Sequence, residues 1–207
     1  MKKKKKKRKG VGIMDRSDIP YAMRMAMQHQ TDIKANRDHA AKITMYCNSL
    51  AMHDVKGIGY KRLIRFVQHF KEVLDEFYDD PEMGMAHAKR RMEQMGMPIS
   101  GEYYSIKIDG LSQKAQEIQD HRLQASQIAT ICNAIAMNDV FGFGQELQFR
   151  ITQKADEYMG KYQKKGMKFL LEEMEKIGFE IIDGEVIAYA DEEGNGITPK
   201  QWRKQQC

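Results

Sequence analysis

The 207-residue sequence is poor in proline (four), tryptophan (one) and cysteine (three), and each scarcity removes a class of answer. Cys47 and Cys132 stand alone within apolar helical surroundings and Cys207 closes the chain, so neither a disulfide framework nor a Cys-x-x-Cys pair for zinc is expected. That usage fits a reducing compartment, and a cytoplasmic location is the expectation. No apolar run is long enough to span a membrane, and the opening lysines are not followed by the apolar segment of a signal peptide. No membrane partner is therefore expected. The six histidines, His29, His39, His53, His69, His87 and His121, form no His-x-x-x-His pair and have no cysteine beside them. Serine-nucleophile, phosphate-loop and kinase signatures are missing as well. No metal, cofactor or catalytic residue is assigned, and an enzyme is not the expectation.

Positive charge is present but local. The net charge of +5 is smaller than the eight cations of Lys2, Lys3, Lys4, Lys5, Lys6, Lys7, Arg8 and Lys9, so the remainder is slightly acidic. A basic arm over residues 1–16 buries nothing and repels itself, which favours disorder. Such an arm binds phosphates by releasing counterions, without sequence preference. The alternative is a solubilising tail.

The body contains one stretch twice. ITMYCNSLAMHDVKGIGYKRLIR (Ile43 to Arg65) and IATICNAIAMNDVFGFGQELQFR (Ile128 to Arg150) share, at a constant offset, Ile, Cys, Asn, Ala, Met, Asp, Val, Gly, Gly and Arg. The match resumes between Met92 to Ile106 and Met174 to Tyr189. The expected fold is mainly α with small β-hairpins: an internal tandem duplication of two helical units related by a pseudo-twofold axis. Unit 1 is expected over 17–109, unit 2 over 110–190, and a polar C-terminal tail over 191–207.

Local patterning supports helices in both units. Ser17-Asp18-Ile19-Pro20 suits a helix start, and the composition to Met52 favours helix, either unbroken or interrupted near Asn36 to Asp38. Ile43, Cys47, Leu50 and Ala51 are expected on one face. A strong stripe of Leu63, Phe66, Val67, Phe70, Val73, Leu74 and Phe77 marks a second helix, Tyr60 to Tyr78. A third runs from Glu82 to Met95. The second unit repeats this order, with Ser112 as the first cap. Each unit is expected to end in a hairpin: one near Ile99 to Ile108, and one at Phe179 to Ile182 and Glu185 to Ala190 around an Asp183-Gly184 turn.

Two glycines around an apolar residue stop each long helix, Gly57-Ile58-Gly59 and Gly142-Phe143-Gly144. At a helix start such a turn aims N–H groups at a phosphate, and Lys61, Arg62 and Arg65 add charge in the first copy, Arg150 in the second. VKGIGYKRLIRFV resembles the helix-hairpin-helix motif, whose Gly-apolar-Gly turn grips the sugar-phosphate backbone. Gln145, Glu146, Leu147 and Gln148 depart from it in the second copy, where Glu146 repels phosphate. The alternative is a helix joint whose middle residue plugs the core. Asp54 and Asp139, with Asn48 and Asn133, are read either as a converging pair for a hard cation or acid/base work, or as residues bonding the freed amides of their turns. The methionines Met83, Met85, Met92, Met95 and Met97 suit a partner-gripping surface or a helical core.

The doubled signature, MHDVKGIGYKRLIRF and MNDVFGFGQELQFR, resembles that of uncharacterised small proteins of phages and mobile elements in Gram-positive bacteria, which carry an N-D-x-F-G-F-G-x-x-R-L core. The resemblance implies a mobile-element origin, and with it the class of accessory proteins that act on host nucleic-acid machinery, anti-CRISPR and other anti-defence inhibitors among them. Three functions are weighed. The first is a non-enzymatic protein that binds nucleic acid, or a host nucleic-acid-handling complex such as a CRISPR effector, by occlusion. The second is a metal-dependent nuclease or phosphotransferase built on Asp54 and Asp139. The third is a structural module that pairs two copies as a homodimer.

Overall fold

The computed structural model describes residues 21–99, 105–191 and 196–205, apart from the side chains of Tyr21 and Ala22. Among the described residues seven helices and one hairpin follow one another: α1 (Tyr21–Lys56), α2 (Tyr60–Asp79), α3 (Pro81–Gln94), α4 (Gln113–Phe141), α5 (Gln145–Lys165), α6 (Met167–Lys176), β1 (Glu180–Ile182), β2 (Glu185–Ile187) and α7 (Pro199–Gln205). The start expected at Ser17 to Pro20 lies outside the described residues. Among the described residues no helix is long and apolar enough to cross a membrane.

α1 is a single helix without a break near Asn36 to Asp38. Its apolar residues do not keep to one face, because every residue from Ile43 to Met52 is buried. A helix enclosed on all sides needs no polar face. α4 packs along α1, and α5 and α6 also lie against α1; α2 and α3 lie against α4. Cys132 to Met137 is likewise buried without interruption. Two central helices are thus wrapped by two outer pairs, and one core draws on α1 to α6.

The two central helices run in the same direction. Near their N-terminal ends His29 Nε2 lies 2.8 Å from Glu117 Oε2. Past their C-terminal ends, Arg62 in the first turn of α2 stacks over Phe141, the last residue of α4, at 5.2 Å from the ring centre. Both glycine turns therefore sit at one end of the molecule. At 1.5 Å per residue, α1 places Tyr21 about 54 Å from that end.

Enclosure leaves the polar side chains of the central helices without water, and they bond backward along their own backbone. Thr44 donates to the Ala40 carbonyl at 3.0 Å, Asn48 to Thr44 at 2.9 Å, Ser49 to Met45 at 2.9 Å and Asn133 to Ala129 at 2.7 Å.

The second hairpin forms as expected. β1 and β2 pair antiparallel with Ile182 opposite Glu185, and Asp183 and Gly184 take φ of 51° and 77°, the left-handed pair of a type I′ turn. The first expected hairpin differs: Ser105 to Ile108 form no strand, and residues 100–104 lie outside the described residues. Side chains of α4 hold this segment instead. Gln116 accepts from Ile108 N at 3.0 Å and donates to the Ile106 carbonyl at 2.8 Å, and Ser105 donates to Asp120 at 2.9 Å. The C-terminal segment is more than a polar tail. Ile197 is buried, and Trp202 of α7 lies 5.0 Å from the Tyr189 ring.

Gly84 lets α3 approach α2, since a Cβ there would lie 2.8 Å from Phe77 Cα and 3.2 Å from Phe77 Cγ. Gly84→Ala forces the pair apart and is expected to destabilise the protein by roughly 1–3 kcal/mol, despite alanine's better helix propensity. A urea titration followed by circular dichroism measures it, and an unchanged or raised midpoint contradicts this account of the α2/α3 contact.

Candidate interface at the glycine elbows

Each elbow is built the same way. Gly57 and Gly142 end α1 and α4 with φ of 62° and 67°, where a Cβ is disfavoured, and their N–H groups close the last turn on His53 and Asn138 carbonyls, both at 2.7 Å. Ile58 and Phe143, the middle residues, are buried. The side chains of His53 and Asn138 then bond the carbonyls of those middle residues, at 3.1 and 3.4 Å, and Gln148 adds a bond of 2.8 Å to Phe143. Gly59 and Gly144 open α2 and α5 from extended backbone, and neither helix start receives a side-chain cap. The signal for this brace was the residue preceding each aspartate.

Asp54 and Asp139 do not secure their own turns. Each reaches across to the outer helices of the other half. Asp54 accepts a 2.8 Å bond from Tyr158 on α5 and lies 3.8 Å from Lys154. Asp139 accepts from Arg91 on α3 and, at 2.7 Å, from His69 Nε2 on α2, while His69 Nδ1 donates to Glu72 at 2.9 Å. His69 and Lys154 occupy positions related by the same constant offset as the aspartates. The two aspartates share no partner, and among the described residues no group of three or more His, Cys, Asp or Glu is placed to hold a metal ion. The amide nitrogens of Asn48 and Asn133 are committed to their own helices, as described above.

The cationic side chains cluster at the first elbow. Lys56, Lys61, Arg62 and Arg65 are exposed there, with Arg62 over Phe141; Arg150 is exposed beside the second elbow. Lys2 to Lys9 lie outside the described residues. Phe149, 61 % exposed on the first turns of α5, escapes sequence reading because an Ile-to-Phe change between matching positions looks like core variation.

Charge on the two outer helices differs in one respect that bears on function. α5 follows the helix dipole, with Glu146 in its first turn and Lys164 and Lys165 in its last. α2 opposes it, with no acid in the first turn and no base in the last, while Lys61 and Arg62 sit where the dipole is already positive. Each misplaced charge costs about 0.3–1 kcal/mol at low salt.

The remaining chemistry is quiet. Burial pushes the Cys47 and Cys132 thiols up to about 12, so neither is a nucleophile near neutral pH. Of the clustered methionines, Met92 and Met97 line a cavity of about 220 Å³ together with Met137, Met159, Asn48 and Gln148, whereas Met83 is 52 % exposed.

The His69–Asp139 clasp titrates. Burial alone would lower the His69 pKa, but the hydrogen bonds to Asp139 and Glu72 outweigh it and raise the value above 6.5. Burial likewise opposes ionisation of Asp139, and bonds from Arg91 and His69 prevail, holding it below 3.8. The histidine's contribution is fully present below pH 6.5 and is lost as pH rises through its higher folded value. The aspartate's is present above 3.8 and is lost as pH falls through its lower one. His69→Gln is therefore expected to lose about 0.5–1 kcal/mol at pH 5–6 and progressively less in alkali. Denaturant midpoints of both proteins from pH 5 to 9 check this; a difference that grows with pH contradicts it.

Nothing outside the chain narrows this geometry, since no family model, no curated protein and no solved structure matches it.

Proposed function

We propose that the first elbow is the contact surface of a non-enzymatic binding protein that engages nucleic acid, or a host complex that handles nucleic acid, and acts by occlusion. The observation that carries this reading is the inverted charge of α2. A helix start with uncapped N–H groups is an anion site, and Lys61 and Arg62 reinforce it at a cost to the helix, while the matching start of α5 is arranged for stability. Arg62 is held by Phe141, which reduces the freedom it loses on binding. The resemblance to mobile-element proteins supports a host defence complex as the wider setting, an anti-CRISPR type of inhibitor being one form. The same reading takes the two halves as copies of one ancestral unit about a pseudo-twofold axis along α1 and α4, in which the first copy kept the binding charges and the second lost them. The matched elbows and the crossed aspartates support that history. Lys2 to Lys9 add charge of the same sign to the chain.

The enzyme reading gains no support from Asp54 and Asp139, whose carboxylates are committed to separate partners.

Gel shifts with a duplex at about 50 and 200 mM salt test the proposal. Lys61→Gln/Arg62→Gln is expected to weaken binding about tenfold or more at low salt and to flatten the salt dependence by one to two counterions. If the unaltered protein shifts no duplex, the unaltered protein and the double variant are carried into a pull-down from a bacterial host, where loss of the captured complex in the variant supports the protein-partner form. Unchanged behaviour of the double variant in both assays overturns the elbow as the contact surface.

A further inference from the structure

We infer that the start of α5 is a docking site for the segment Gly110-Leu111-Ser112 of a second copy of this chain, so that molecules join head to tail. The first elbow contains the precedent. Gly196-Ile197-Thr198, immediately before α7, lies on the start of α2. A Cβ on Gly196 would fall 2.6 Å from the Lys61 carbonyl oxygen, 2.7 Å from Lys61 Cα and 3.0 Å from Ile64 Cβ. Only glycine permits that approach, and with it Ile64 is 0 % and Ile197 7 % exposed.

The second elbow presents the same platform without its cover. Phe149 stands where the constant offset places the counterpart of Ile64, and it is 61 % exposed. A segment of matching residue order exists elsewhere in the chain. Gly110-Leu111-Ser112-Gln113-Lys114 repeats the order glycine, aliphatic, hydroxyl, any, lysine of Gly196-Ile197-Thr198-Pro199-Lys200. Both hydroxyls cap the helix that follows, Ser112 accepting from Ala115 N and Thr198 from Gln201 N, each at 3.3 Å. Leu111 nevertheless is 42 % exposed, with Ile106 and Ile108 beside it at 56 % and 41 %; Gly110, whose φ of 85° by itself calls for glycine, has nothing among the described residues within 4 Å of an added Cβ.

The two halves of this missing contact cannot meet within one molecule. Gly110-Leu111-Ser112 leads directly into α4, whose 29 residues carry the chain about 43 Å before α5 begins. They can meet between molecules. Platform and segment are different surfaces, so the contact is heterologous and closes into a ring or extends along a line. Each added copy brings another first elbow, which multiplies any binding there.

Sedimentation velocity of the full chain across a hundredfold concentration range tests this, with Phe149→Glu and Leu111→Glu as variants. Both side chains are exposed, so circular dichroism is expected to be unchanged. The unaltered protein is expected to grow beyond a monomer with concentration, and each variant alone to remain monomeric. An equimolar mixture of the two variants retains one intact contact and is expected to form one-to-one pairs and nothing larger; the double variant forms none. A monomeric unaltered protein overturns the proposal, and the bare Phe149 then falls to a segment of a different protein. Variants that associate as the unaltered protein does, or a mixture that fails to pair, overturn it equally.

Discussion

Between Ile43 and Met52 every residue of α1 is buried, and the same holds for α4 between Cys132 and Met137. Enclosure of these two helix stretches is the constraint on which the remaining structure depends. It requires their polar side chains to turn back on their own carbonyls, because an unpaired donor in such surroundings costs about 1–3 kcal/mol. It also requires outer helices on every side, and these are supplied in a crossed manner: α5 and α6 cover α1, and α2 and α3 cover α4. Neither half can bury its own central helix without the other.

The elbows and the aspartates follow from this arrangement. Where a buried helix emerges at its C-terminal end, the chain must reverse within three residues to begin an outer helix, and a left-handed glycine with a buried apolar successor achieves that. Asp54 and Asp139, one turn before each reversal, lie at the edge of the enclosed region. From there each reaches an outer helix of the other half, and the two contacts are chemically unequal. One pairs a carboxylate with a lysine and a tyrosine that keep their protons throughout the neutral range; the other is centred on a histidine.

Much of the fold was legible in the order of residues. Asp183-Gly184 announced the type I′ turn, Ser112 the start of α4, and the glycine pairs the ends of α1 and α4, because each depends on conformational preferences of adjacent residues. What depended on distant parts of the chain was not legible. The alternation from Tyr103 to Ile108 reads as a strand, yet Gln116 satisfies the backbone of Ile106 and Ile108 before a second strand can. Asp54 and Asp139 looked like capping residues because their partners lie in the opposite half. Phe149 looked like Ile64, since nothing local reveals that the chain returns over one of them and not the other. Of the candidate site, the cations of the first elbow were readable; the opposition between those cations and their own helix dipole became apparent only against α5.

The parallel course of α1 and α4 has a consequence for how the molecule comes into being. Parallel neighbours cannot be joined by a short loop, so α2, α3 and the segment after them must carry the chain back along the full length of the bundle before α4 begins. While the polypeptide is leaving the ribosome, α1 has no mate until most of the chain has emerged, and its apolar surface remains open to chaperones throughout that interval.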